Sequence, residues 1–182
     1  GSLVNPGILE MLPKSAARFN SAGMTLDDIL KVIREAHEND IDVVRLHTGE
    51  PSIYGAIGEQ MDALDALGIE YEVVPGISSF QAAAAAIRVE LTAPEVSQTV
   101  ILTRIAGRTP VPEGQQLEDL APSQATLCMF LSVDRIVEVT GELIPHYGGD
   151  CPAAVVFRAT WPDQKIVQGT LSNIAAKVRD EN

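Results

Sequence analysis

Apolar and polar positions recur along this chain with two different periods. Between Thr25 and Asn39 the apolar residues Leu26, Ile29, Leu30, Ile33 and Ala36 or His37 fall three and four apart, which puts them on one face of a helix. Thr25, three residues ahead of Asp28, is the pattern of a side-chain cap on its first turn. "IDVVRLH" follows, a short apolar run that suits a strand covered on both faces. Ile53, Ala56, Ile57, Met61, Leu64 and Leu67 then carry a second helix, and Gly68 can end it. "IEYEVV" reads as another strand and "FQAAAAAIR" as an alanine-rich helix. The order helix, strand, helix, strand, helix over 25–88 predicts parallel strands joined by crossover helices.

The pattern lapses at "VELTAPEVSQ", which is polar, carries Pro94 and has no clear period. We take 90–97 as a linker between an N-terminal α/β domain, 1–89, and a C-terminal one, 98–182. The second set runs strand "TVILTR", proline-rich loop "IAGRTPVPEG", short helix "QQLEDLA", strand "ATLCMFLS" and helix "VDRIVEVTGELIPHY". "AAVVFRAT" and "KIVQGTL" flank the turn "WPDQ", which predicts an antiparallel hairpin and makes the second sheet mixed. "LSNIAAKVRDEN" closes as a helix.

Composition narrows the class. The chain has 182 residues, 46% of them hydrophobic, enough for one or two globular domains. No apolar run approaches the roughly 20 residues that span a bilayer, and no signal-peptide pattern opens the chain. The net charge of −12, with no lysine/arginine run, argues against binding nucleic acid through phosphates. A few arginines in one cleft can still hold a small anion. Cys128 and Cys151 have neither metal-ligand nor redox spacing, which suggests reduced thiols and a cytosolic protein.

Several chemistries are excluded by motif. Gly55 is followed by Ala56 rather than by a lysine and a hydroxyl residue, so the turn at 47–55 is not a phosphate-cradling loop. There is no G-x-G-x-x-G and no G-x-S-x-G. His37, His47 and His146 are too scattered to read as a metal site. What remains is a set of strand-end turns at 47–55, 75–79, 103–112, 131–133 and 158–163. In an open α/β sheet ligands lie beyond the carboxyl ends of the strands. Gly49, Gly76, Ser78 and Ser79 would expose backbone groups there to a neutral or zwitterionic ligand, and Glu50 could accept from an amine or hydroxyl.

Together, "VVRLHTGEPSIYGAIGEQM", "EVVPGISSFQAAAAA", "QTVILTRIAGRTPVPEG", "MFLS" and "VVFRATWPDQKIV" resemble the tetrapyrrole (corrin/porphyrin) methyltransferases over nearly the whole chain. "LTRIAGRTPVP" and "ATWPD" are most like the branch that methylates precorrin-4, or its cobalt form, at C-11 in cobalamin biosynthesis. The resemblance implies two α/β domains with the active site in the cleft between them, S-adenosylmethionine as methyl donor, and a homodimer; composition and motifs add the expectation of a cytoplasmic protein with no nucleic acid, membrane or metal ligand. It places donor contacts on Thr48, Gly49, Glu50, Ile53, Ser78, Ser79, Leu131 and Ala159. The family usually has Asp at position 50. An electron-rich ring carbon would attack the sulfonium methyl group, with Tyr54, Glu50 and Glu90 as candidate bases. Arg104 and Arg108 would clamp the macrocycle's acidic side chains, with Tyr54 beside them.

The family also carries a strand and a glycine- and proline-rich loop ahead of a stretch like "GSLVNP", and an apolar strand after one like "KVRDEN". The expectation is therefore of a chain shortened at both ends and inactive as it stands, with a gap in the sheet that contains Val43 and Val44. Gly1-Ser2 would be native or a cloning remnant. The rival readings are a same-fold methyltransferase for another precorrin and a catalytically incompetent dimerising fragment.

Overall fold

The computed structural model describes residues 4–107 and 109–181. Arg108, one of the two expected clamps, lies outside the described residues, as do Gly1 and Ser2. Two compact units are present, Gly1–Ser79 and Phe80–Asn182.

In the first unit the short helix α1 (Pro6–Glu10) starts at Asn5, whose side chain accepts from the Gly7 N–H at 2.9 Å. The expected long helix follows as α2 (Leu26–Glu38). Thr25 caps it reciprocally: the Asp28 N–H donates to Thr25 Oγ1 at 3.2 Å, and the Asp28 carboxylate accepts from the Thr25 N–H at 3.0 Å. These bonds, the backbone one first, hold the Asp28 carboxyl below its usual range. Leu30 and Ile33 of α2 are buried, and so is Ile69.

The next helix, α3 (Gly58–Leu67), begins later than the periodicity predicts, and Ile53, Ala56 and Ile57 lie ahead of it. Tyr54 at φ 56° and Ala56 at φ 50° are left-handed, and a right-handed helix cannot run through them. Gly68 ends α3 at φ 67°.

The two strands expected at 41–47 and 70–74 need correction. Neither segment forms a strand or joins a ladder among the described residues. Val43, Val44, Val73 and Val74 are exposed, Val44 by 81%. An apolar, β-branched run states a preference for cover; a strand also needs a neighbouring edge to exchange hydrogen bonds with. No described residue supplies that edge, so the sheet in which a gap was expected is not formed among the described residues.

The helix α4 (Ser79–Ile87) leads into the second unit. The segment expected as a linker is hydrogen-bonded within that unit: Thr126 donates from Oγ1 to the Leu91 carbonyl at 2.8 Å and from its N–H to Ser97 Oγ at 3.1 Å. Strand β1 (Val100–Thr103), helix α5 (Leu117–Leu120), strand β2 (Thr126–Met129) and helix α6 (Ile136–Tyr147) follow. β1 and β2 pair in parallel, Val100 opposite Thr126. Strands β3 (Pro152–Phe157) and β4 (Lys165–Thr170) form the expected antiparallel hairpin, Phe157 opposite Lys165, and α7 (Ile174–Asp180) closes the chain.

Leu117, Ala121, Val139, Leu143 and Leu171 form this unit's core, with Leu127, Met129 and Tyr147 packed against it. Tyr147 sends its hydroxyl to the Ala125 carbonyl at 2.7 Å, which satisfies the polar end of a half-buried ring. The α/β class with parallel and antiparallel pairing is as expected. The ladders nevertheless all lie in the second unit among the described residues, and the two pairs are not joined into one mixed sheet.

Candidate active site

The apolar run that ends at His47 enters a turn in which Gly49 takes φ 67°. The Ile53 N–H donates to the Glu50 carbonyl at 3.1 Å, closing a four-residue turn. The Glu50 side chain folds back over it. Its Oε1 accepts from the Ser52 N–H at 3.0 Å and from Ser52 Oγ at 2.8 Å, and its Oε2 accepts from the Gly76 N–H at 2.7 Å. These bonds, Ser52 N–H first and Gly76 N–H next, hold the carboxyl below the usual glutamate range against a small opposing push from burial.

The turn at 48–53 and the turn at 76–79 are thus built against each other. A Cβ at Gly76 would overlap the Gly49 carbonyl oxygen, closer than real Cβ atoms come. A Cβ at Gly49 would lie 3.7 Å from Ser78 Cα and from the Ser79 nitrogen. At Gly55 it would overlap the Pro51 carbonyl. Glycine is required at 55 and 76 for close backbone approach, and at 49 for its left-handed conformation. Ser78 is buried at 2% exposure, whereas Thr48, Gly49 and Ser79 are exposed and Ile53 is half-buried. Tyr54 is 46% exposed on its left-handed backbone. His47, at the mouth of the turn, is pushed toward its neutral form by burial and then by Arg45.

The first unit therefore brings together Thr48, Gly49, Glu50, Ile53, Ser78 and Ser79. Leu131, Ala159, Arg104 and Glu90 belong to the second unit. Leu131 follows β2 at φ 53° and is 78% exposed. Ala159 follows β3, between Arg158 at φ 49° and Thr160 at φ 73°. Each such non-glycine residue costs on the order of 1–3 kcal/mol, and strain of this kind clusters where backbone is shaped for a ligand. Arg158 pairs with Asp163 and lies over the Trp161 ring at 4.4 Å, and the Thr160 N–H donates to Gln164 at 2.8 Å, so the strained hairpin end is tied down.

Arg104 bends onto its own loop, donating to the Thr109 and Pro110 carbonyls at 3.0 Å each. It has no carboxylate partner among the described residues, so its charge is not neutralised locally. Glu90 is exposed in the segment after α4. Cys128 and Cys151 are free thiols whose pKa values are pushed up by burial, which disfavours the nucleophilic thiolate. Among the described residues no cluster of three His, Cys, Asp or Glu side chains could hold a metal, and no helix is long and apolar enough to cross a membrane.

A model of the tetrapyrrole (corrin/porphyrin) methylases matches residues 1–175. The chain belongs to that family. It is 54% identical over 182 residues to the cobalt-precorrin-4 C(11)-methyltransferase of Methanocaldococcus jannaschii, covering 100% of this chain and 70% of that protein. It is 50% identical over 182 residues to the precorrin-4 C(11)-methyltransferase of Pseudomonas aeruginosa, covering 100% and 72%. The X-ray structure of a cobalt precorrin-4 methyltransferase of cobalamin biosynthesis superposes with a TM-score of 0.95 at 42% identity, over 99% of this chain and 76% of that one. A uroporphyrin-III C-methyltransferase from Thermus thermophilus, crystallised with S-adenosyl homocysteine, matches at TM-score 0.63 and 27% identity, over 82% and 65%.

Two features of this tetrapyrrole methylase escape a reading of motifs. Ser52 is anonymous in sequence, yet it supplies two of the three bonds to Glu50. Ser132, 6% exposed, accepts from the Ile105 N–H at 3.2 Å and donates to the Phe130 carbonyl at 2.7 Å, joining the start of the 104–110 loop to the turn after β2. A hydroxyl residue at the end of the apolar run "ATLCMFLS" was the available signal for Ser132. For Ser52 there was none: its partner Glu50 is only two residues away, but no motif marks that pairing.

Proposed function

We propose that this protein is an S-adenosylmethionine-dependent C-methyltransferase that acts on precorrin-4 or cobalt-precorrin-4 at C-11 in cobalamin biosynthesis. The observation that carries the reading is its kinship, along all 182 residues, with enzymes of both names. A cytoplasmic homodimer is part of the same reading.

The turns at 48–53 and 76–79 suit the donor chemically. They offer backbone groups and hydroxyls at close range without a lysine, as an uncharged adenosine and a zwitterionic amino acid require. S-adenosylmethionine supplies a methyl group on a sulfonium, already a good electrophile. The protein's part is to orient. Thr48, Gly49, Ile53, Ser78 and Ser79 are the donor-binding candidates of the first unit, with Glu50 among the donor-turn residues, and Leu131 and Ala159 are those of the second. Arg104, and Arg108 with it, would meet the macrocycle's carboxylates. Alignment of this sort supplies up to roughly 7–11 kcal/mol in well-oriented systems. Of the candidate bases, Glu50 is disfavoured because both its oxygens already accept hydrogen bonds and its carboxyl is held ionised. Tyr54 and Glu90 remain.

The test is transfer of a labelled methyl group to precorrin-4 and cobalt-precorrin-4, alongside calorimetric binding of S-adenosylhomocysteine. Product methylated at C-11 is expected, against the expectation of an inactive chain raised from the sequence. Methylation of an earlier tetrapyrrole in preference to both, or no donor binding, would overturn the reading.

A further inference from the structure

We infer that Glu50 is a positioning residue that never touches the methyl donor, and that it sets donor affinity by tying the turn at 48–53 to the turn at 76–79. The inference rests on the proposed donor site and revises the role of one member of it. By motif alone, a carboxylate beside a glycine turn reads as a ligand contact. Here the geometry assigns its two oxygens elsewhere: Oε1 closes its own turn on Ser52, and Oε2 reaches across to the Gly76 N–H at 2.7 Å.

Three observations make this a strut rather than a spare interaction. The bond crosses between segments 26 residues apart in sequence. It lands on a glycine whose neighbour across the gap is the Gly49 carbonyl, so the two backbones already meet there without room for a methyl group. And the same contact brings Ser78 and Ser79 alongside Gly49, which places most of the proposed first-unit donor contacts on the two tied segments. The hydrogen bonds favour the ionised carboxylate, so the tie is in force throughout the neutral range. A carboxylate held in this way by three donors has little tendency to take a proton and is poorly suited to act as a base.

Glu50→Gln is the decisive variant. The amide keeps the shape but has only one accepting atom, so it must turn an N–H₂ toward either Ser52 or Gly76. Binding of S-adenosylhomocysteine by calorimetry should weaken at least about tenfold. At saturating S-adenosylmethionine kcat should stay within a few-fold, and the pH–rate profile should keep its shape. Ser52→Ala, which removes one of the three bonds, should weaken donor binding in the same direction by a smaller factor. The Gly76 amide should exchange its hydrogen faster in Glu50→Gln than in the parent protein, a readout that does not depend on turnover. Unchanged donor affinity in a folded Glu50→Gln protein overturns the inference. So does a collapse of kcat with normal donor affinity and loss of a limb of the pH profile, which would make Glu50 the base. If the parent protein itself fails to bind S-adenosylhomocysteine, the proposed donor site falls, and the inference with it.

Discussion

Gly49 and Gly76 sit on facing turns, yet alanine at the two positions should have very different consequences. At Gly49 the added methyl lies 3.7 Å from its neighbours, an ordinary contact, so space is not the obstacle. The obstacle is φ 67°, a left-handed conformation that costs an L-residue about 1–2 kcal/mol. That cost falls mainly on stability, and donor affinity should change by less than about tenfold. At Gly76 the conformation is ordinary, but the methyl would occupy the place of the Gly49 carbonyl oxygen. The turns must separate by roughly an ångström to restore a normal contact. Separated turns would lose one or two hydrogen bonds to the donor, about 1.5–3 kcal/mol where the donor group is charged, which approaches 10²-fold at 1.4 kcal/mol per factor of ten. Calorimetric titration with S-adenosylhomocysteine checks this, with thermal unfolding run in parallel. Gly76→Ala should lose about two orders of magnitude in affinity, and Gly49→Ala should lose mostly stability. Parent-like affinity in Gly76→Ala, or a larger loss of affinity in Gly49→Ala, would refute the argument that the two turns must touch in order to bind. The branched Gly49→Val, which crowds the left-handed backbone further, should abolish donor binding.

Arg104→Ala should weaken binding of a carboxylated tetrapyrrole by about 1.5–3 kcal/mol, the worth of a hydrogen bond to a charged group, while leaving donor affinity near normal; fluorescence titration with each ligand separates the two. Ile174 is 2% exposed, so Ile174→Ala should destabilise the protein by about 2–5 kcal/mol, seen as a lower midpoint in urea with an unchanged slope. The Asp28 carboxyl is held below its usual value by Thr25, so its folded pKa is lower than its unfolded one. Its contribution is therefore present above the unfolded value and lost as pH falls through the folded one. The parent should be more stable than Asp28→Asn at pH 5–8, with the difference fading below about pH 4; unfolding curves across that range give the answer.

The legible parts of this protein share one property: their cause is local. The reciprocal bonds of Thr25 and Asp28, the stop at Gly68 and the hairpin around "WPDQ" each depend on residues within a few positions, and each appears where the pattern put it. The start of α3 was misread for a related reason. Ile53, Ala56 and Ile57 keep helical spacing, but periodicity records only which face is apolar and is blind to the positive φ values at Tyr54 and Ala56. The motifs did reveal the family, since the glycine turns and the "RTPVP" and "ATWPD" stretches stand at recognisable places along the chain.

By itself, then, the sequence determined most of the helices, the hairpin, the lack of phosphate-loop and dinucleotide motifs, and kinship with the tetrapyrrole methylases. Tertiary structure decided what depends on distant partners. Val43, Val44, Val73 and Val74 are strand-like in composition, but a ladder exists only if a second edge lies beside it, and no window of sequence contains that fact. The same holds for Glu50. Its charge and its place beside a glycine turn are written in the chain, but its partner Gly76 lies across a fold, and only that contact turns a candidate ligand contact or base into a tie between two turns.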